Sequence, residues 1–304
     1  MKEYFGIDIG GTAVKWAVLT EDYRVVERGS LPTAFESADE VVAVLADLVR
    51  PYVGRVSAVG VSAPGGIYEG DPDGTIHRGG ALLYMDGCPL GRRLREELGL
   101  PVAVNNDGKC CALGEYAAGA LRGVRTGVVL AVGTAIGGGI VLDGHVLRGA
   151  HCFAGEFSFL RNSIDESEGG MPPTFAISGG WRSLAGLVCE EKGIELTDDI
   201  DGRVVFDWVE AGDKAALRGL SRYALLFDQW LANLQAVLDP EVFVIAGGIS
   251  RRPELMAALR AQMPAAIAPF EAFGGMPEPQ VKAAEMGNDA NLAGAVMEAI
   301  RLAG

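Results

Sequence analysis

A carboxylate at the start of a helix can take a proton from a hydroxyl group brought to it. Asn105-Asn106-Asp107-Gly108 offers one, between an apolar strand-like run and a helix-like stretch. Asp107 is therefore a candidate general base, although the same side chain could do no more than cap that helix. Asp8-Ile9-Gly10-Gly11-Thr12 puts a second carboxylate at a strand end, ahead of two glycines and a hydroxyl. Glycines let the backbone bend close to an anion, and Asp8 would suit a magnesium ion or its waters. An ordinary two-glycine hairpin is the other explanation. Gly133-Thr134-Ala135-Ile136-Gly137-Gly138-Gly139 repeats the theme after another apolar run. It could offer successive N–H groups to phosphate or form a tight hairpin. Ala246-Gly247-Gly248-Ile249-Ser250 ends a further strand-like run, where glycines admit a flat ring such as adenine. Judged alone, that segment is better explained as plain strand-to-helix turn chemistry. Glu156, in Ala154-Gly155-Glu156-Phe157, could hold sugar hydroxyls or be a surface acid.

Other chemistries fit less well. The chain has no G-x-x-x-x-G-K-[ST] loop, no G-x-G-x-x-G spacing and no G-x-S-x-G elbow. Its only histidines are His77, His145 and His151, and His151-Cys152 lacks partners at zinc spacing. A formal charge of −14 argues against binding to nucleic acid or to anionic lipid. It does not exclude ATP, because backbone N–H groups and Mg2+ bind phosphates without a basic surface. Five cysteines, an odd number with no C-x-x-C pair, fit a reducing cytoplasm. Met1 runs straight into a strand-like segment, and no apolar run approaches the roughly 18 residues of a membrane span. A soluble, cytoplasmic protein is expected.

These residues need a scaffold. With 304 residues, 49% of them hydrophobic, the chain can bury two cores. Strands are predicted at 4–9, 13–19, 23–29, 56–62 and 102–105, and again at 127–132, 140–142 and 241–245. Ser37-Ala38-Asp39-Glu40 is a capping box, and the helix it opens runs to Pro51. Further helices are predicted over 90–98, from Asp107 to about Ala120, over 214–238, over 253–262 and over 291–302. Residues 161–180, polar and rich in Gly and Pro, read as a loop. The glycine turn at 133–139, with strands on both sides, echoes residues 4–19 and points to a duplicated α/β architecture.

In this order the segments resemble the ROK family (repressors, uncharacterised reading frames and sugar kinases) of the actin-like ATPase superfamily, from Asp8 to near Ala295. Asn106-Asp107 with Ala112-Leu113-Gly114-Glu115 resembles the first connecting segment. Gly287-Asn288-Asp289-Ala290 with Gly294-Ala295 resembles the second. The resemblance implies two actin-like (ribonuclease H-like) α/β domains, 1–107 plus 291–304 and 108–290, with a nucleotide and sugar cleft between them. It implies an ATP- and Mg2+-dependent sugar kinase and a homodimer, with no nucleic-acid or membrane partner. Asp107 would be the base, and Gly65, Gly80, Asn106, Asp107 and Glu156 would meet the sugar. Asp8, Gly10, Gly11, Thr12, Gly133, Thr134, Gly137, Gly247 and Gly248 would serve the nucleotide, with Asp8 reaching Mg2+ through water or phosphate.

The chain also departs from the family. Many members read Gly-Glu-x-Gly-His and then a cysteine-rich zinc run. Here Phe159 stands where that His would be, and residues 161–190 carry only Cys189, so no zinc site is expected. Zinc-free members with a stretch like Gly79-Gly80-Ala81 include β-glucoside kinases, and a ring at Phe159 would suit a wider sugar pocket. A 6-hydroxyl of glucose, free or in a β-glucoside such as cellobiose, is the expected acceptor. Glucokinase, N-acetylmannosamine kinase and a non-catalytic sugar-binding regulator are the alternatives. A repressor would need a DNA-reading segment ahead of Asp8, and the seven residues there are expected to be too few for one.

Overall fold

The computed structural model describes residues 1–80, 82–161 and 174–304. The chain forms two compact units. One comprises Met1–Gly123, Gly139–Gly155 and Met286–Gly304; the other comprises Val124–Gly138 and Glu156–Glu285.

Among the described residues, ten strands form two sheets. The first contains β1 (Glu3–Ile9), β2 (Ala13–Thr20), β3 (Val25–Pro32), β4 (Val59–Ala63) and β5 (Val102–Asn106) in the order β3-β2-β1-β4-β5. β1 runs antiparallel to β2 and parallel to β4, and β4 runs parallel to β5. The second contains β6 (Thr126–Val132), β7 (Ile136–Leu142), β8 (His145–Val146), β9 (Val242–Gly247) and β10 (Val281–Ala283). Its order, β8-β7-β6-β9-β10, repeats the first sheet strand for strand. β6 and β9 run parallel, as do β9 and β10. The duplication expected from the sequence is thus present in the topology. Mixed sheets with flanking helices make the fold α/β.

The helices are α1 (Ala38–Val49), α2 (Leu90–Leu98), α3 (Asp107–Ala118), α4 (Phe175–Gly179), α5 (Trp181–Lys192), α6 (Gly202–Glu210), α7 (Lys214–Leu238), α8 (Pro253–Ile267) and α9 (Ala290–Ala303). Ser37 caps α1 by accepting from the Glu40 N–H at 3.3 Å, while the Glu40 carboxylate takes the Glu36 N–H rather than that of Ser37. Asp213 caps α7, accepting from Ala215 and Ala216, and Asp239 ends it in a left-handed conformation before Pro240.

In the first unit Phe5, Ile7, Leu45, Val59, Val61 and Leu94 belong to one buried cluster, against which Trp16 and Tyr52 pack. α9 crosses both α3 and the sheet at very short range. A Cβ on Gly294 would lie 1.9 Å from the Cys110 carbonyl oxygen, and one on Gly114 or Gly60 would lie 2.0 Å from that of Ala290 or Ala295. Only glycine permits that approach, and it holds the start of α9 against the start of α3. In the second unit, the Phe175 ring stacks on Trp230 at 4.8 Å and meets Phe227 edge-on at 5.2 Å.

Two expectations change. β7 begins at Ile136, so Gly137, Gly138 and Gly139 lie in a strand and the glycine turn shrinks to 133–135. The cause is close packing: a Cβ on Gly138 would sit 2.0 Å from the Val129 carbonyl oxygen. Of the loop expected over 161–180, residues 162–173 lie outside the described residues, and Phe175–Gly179 is helical.

Candidate active site

Asn106, not Asp107, caps α3. Its Oδ1 accepts from the Lys109 N–H at 3.2 Å. Its Nδ2 donates at 2.9 Å to the Gly65 carbonyl and at 2.9 Å to Asp107 Oδ1. That Asp107 oxygen also takes the Gly108 N–H at 2.8 Å. Asp107 is thus an exposed carboxylate at the first helical position, oriented by two donors, where the helix dipole favours negative charge.

Asp8, next to last in β1, is buried, and its Oδ1 accepts from Ser62 Oγ at 2.7 Å and Asn291 Nδ2 at 2.9 Å. β4 supplies Ser62 and the start of α9 supplies Asn291. Sequence reasoning passed over both; their only mark was their position beside recognised segments. After Asp8 the chain turns through Gly10, Gly11 and Thr12. Gly10 N–H bonds the Ala13 carbonyl at 3.1 Å and the Thr33 hydroxyl bonds the Gly10 carbonyl at 2.7 Å, leaving Gly11 exposed.

Cys110, one turn into α3, registers both acids. Burial pushes its thiol well above the ordinary value, and the Glu298, Asp8 and Asp107 carboxylates push in the same direction. Burial likewise pushes Cys111 up to about 12. Both thiols are held neutral, so neither is a nucleophile.

Gly65 and Gly80 sit on facing turns of the same unit, both with positive φ. A Cβ on Gly80 would lie 3.0 Å from Pro64 Cβ and one on Gly65 2.8 Å from the His77 carbonyl oxygen, so the turns nearly touch. Asn106 ties this pair to Asp107 through the Gly65 carbonyl.

The other unit holds the remaining candidates. The ends of β6 and β9 are paired, Val132 opposite Gly247, which brings Gly133 and Thr134 to the level of Gly247 and Gly248. Gly247 has φ 98°, and a Cβ there would meet the Val132 carbonyl oxygen at 2.2 Å. The Gly133 carbonyl accepts the Trp181 N–H at 3.0 Å, seating the turn on the start of α5. Gly137 lies apart from that turn, exposed within β7. A cavity of about 320 Å³ lies beside Gly248, lined by Trp181, Gly202, Phe206, Ile249 and Arg252 among others. None of these except Ile249 stood out in the sequence. Glu156 is half-buried and precedes a 3-10 turn, Phe157–Phe159, pinned to β7 by Ser158 Oγ, which donates to the Ile136 carbonyl at 2.8 Å. Phe159 is exposed.

Known proteins resemble this chain in sequence and in fold. The ROK family profile matches residues 4–301. A β-glucoside kinase from Klebsiella pneumoniae is 30% identical over 292 residues, covering 95% of this chain and 93% of that protein. The crystal structure of a protein from Streptococcus pneumoniae, solved with sucrose, superposes with a TM-score of 0.84 at 26% identity, covering 97% and 96% of the two chains. A glucokinase from Streptomyces griseus, solved with glucose and AMPPNP, gives 0.80 at 26% identity, covering 98% and 99%.

Proposed function

This chain belongs to the ROK family and is an ATP-dependent sugar kinase, and we propose that Asp107 is its general base and that the 6-hydroxyl of a glucose unit is its acceptor. The observation that carries the assignment is the capping of α3 by Asn106. That side chain satisfies the helix end, so Asp107 is spared the task and stays exposed with one oxygen oriented by two donors. A carboxylate so held can accept the hydroxyl proton while the oxygen attacks the terminal phosphorus in line. Asn106, Gly65 and Gly80 would meet the sugar, and Glu156 would bind its hydroxyls.

Gly10, Gly11 and Thr12 would present N–H and hydroxyl donors to the phosphates, as would Gly133 and Thr134. The cavity beside Gly247 and Gly248 suits a purine ring and its ribose. The donor set fits Mg2+, which takes oxygen ligands and keeps several waters. Asp8 would hold it through water, with Ser62 and Asn291 fixing the carboxylate. When bound, the ion would neutralise charge on the transferred phosphoryl group.

The free hexose and a β-glucoside such as cellobiose are both within this reading. The sucrose bound by the Streptococcus pneumoniae protein and the name of the Klebsiella pneumoniae relative support an acceptor larger than one ring. A screen of glucose, cellobiose, N-acetylmannosamine, mannose and fructose with ATP tests it, with phosphorus NMR locating the product ester. A 6-phosphate of a glucose unit is expected. Turnover of N-acetylmannosamine alone would replace the acceptor, and no turnover of any sugar would remove the assignment.

A further inference from the structure

Two residues beside the Gly65 turn have backbone that ordinary side chains avoid. Arg78 has φ 62° and Cys152 has φ 55°. Left-handed backbone at a non-glycine residue costs free energy and persists only where the surroundings impose it, most often at functional sites. Both residues approach Gly66. A Cβ there would lie 2.9 Å from Arg78 Nη2 and 3.4 Å from Cys152 Cβ.

The surroundings fix each of them. The Arg78 N–H donates to Asp86 Oδ1 at 2.7 Å, and its guanidinium donates to the His151 carbonyl at 2.9 Å. The Cys152 thiol donates to the Ile67 carbonyl at 2.7 Å, and its own carbonyl accepts from the buried Lys109 ammonium at 3.5 Å. Gly66 and His77 exchange both backbone hydrogen bonds, at 2.7 and 2.9 Å. The product of these constraints is an exposed Arg78 guanidinium lying over the Phe153 ring, 5.8 Å from its centroid, with the ring itself 45% exposed.

A continuous path of contacts leads there from the base: Asp107 to Asn106, Asn106 to the Gly65 carbonyl, then Gly66 and Arg78. The guanidinium has five donors in a plane, and His151 takes one of them. An exposed aromatic edge beside a solvent-exposed planar guanidinium is suited to a pyranose ring, whose C–H groups pack on the exposed part of the ring and whose hydroxyls accept from the guanidinium.

Resting on the sugar-kinase reading above, we propose that Arg78 and Phe153 form a second sugar subsite, which binds the glycosyl unit attached to the glucose that is phosphorylated. The subsite makes the enzyme prefer a disaccharide over free hexose. Asp107 does the same chemistry on both acceptors, and the pair acts on the distal ring alone.

The test is the KM of glucose and of cellobiose, each at saturating ATP, for the wild type and three variants. Arg78→Gly removes the guanidinium and leaves a residue that favours the same backbone, so it preserves the fold. Phe153→Ala removes the ring, and Phe153→Tyr keeps it. Arg78→Gly and Phe153→Ala are expected to raise the cellobiose KM about three- to tenfold. The glucose KM should stay unchanged, and Phe153→Tyr should behave as wild type. Equal changes for the two sugars, or no change for either, would overturn the proposal. So would a wild type that phosphorylates glucose and does not bind cellobiose. If the wild type turns over neither sugar, the acceptor assignment fails, and calorimetry then decides the subsite. Cellobiose binding that Phe153→Ala weakens would uphold it; its absence would overturn it.

Discussion

Replacing Asp228 by Asn should remove this side chain's contribution to the pH dependence of stability between 5 and 8. Asp228 lies within α7 with none of its surface exposed, and neither carboxylate oxygen has a hydrogen-bond partner among the described residues. Burial pushes its pKa from the ordinary 3.8 to about 8. An acid whose folded pKa is raised stabilises the fold only while protonated. Stability is therefore fully present below pH 3.8 and is lost progressively as pH rises toward 8, after which the loss stops. At ~1.4 kcal/mol per pH unit, wild type should lose up to about 4 kcal/mol between pH 5 and 8. Water entering the site would lessen that figure. Asparagine cannot ionise, although its amide brings an unpaired-group cost of about 1–3 kcal/mol at every pH. The assay is calorimetric melting of both proteins from pH 5 to 9. Wild type should fall relative to the variant by up to about 8–16 °C from pH 5 to 8, at 2–4 °C per kcal/mol for a unit of this size. The reasoning is refuted if the gap between the two melting temperatures is the same at pH 5 and pH 9.

Other outcomes follow from single contacts. Gly294→Ala should cost about 3 kcal/mol or more in urea unfolding, because its Cβ would meet the Cys110 backbone 1.9 Å away, which cannot turn aside. An unchanged midpoint would show that α9 can shift freely. Asp8→Asn keeps an oxygen for Ser62 and Asn291 but loses the charge. It should reduce kcat/KM for ATP about a hundredfold or more, leave sugar binding intact and raise the Mg2+ concentration needed for half-maximal rate. Wild-type Mg2+ dependence in that variant would take Asp8 out of the ion's site. Elemental analysis of the purified protein should find no stoichiometric zinc, and one zinc per chain would contradict the reading of Phe159 and the segment after it.

Much of the scaffold was legible because apolar periodicity and end signals agreed. The helices predicted over 214–238 and 90–98 match α7 and α2 to the residue, because each apolar pattern stops at a clear break, Asp239-Pro240 and Gly99. The start of β7 was not legible. Gly137-Gly138-Gly139 is written like a turn, yet those residues lie in a strand, where the neighbouring strand leaves no room for a side chain at Gly138 and α3 leaves none at Gly139. Single carboxylates beside glycines stood out, so Asp8 and Asp107 were singled out as candidates. Their hydrogen-bond partners were not, because Ser62 and Asn291 lie 54 and 283 residues away from Asp8 in the chain. Asn106 was seen as a sugar ligand but not as the cap that relieves Asp107. Arg78 and Cys152 were invisible as a pair, since backbone strain has no compositional mark.

The most direct measurement is the rate of phosphoryl transfer by Asp107→Asn, set beside its affinity for the same sugar. Asparagine keeps an oxygen for Asn106 and Gly108 but cannot take a proton, so geometry survives and base chemistry does not. A kcat lowered at least about a hundredfold is expected, with a calorimetric Kd for sugar within a few-fold of wild type. A variant that turns over at the wild-type rate would show that no carboxylate at the head of α3 is needed, and the assignment of Asp107 would fall.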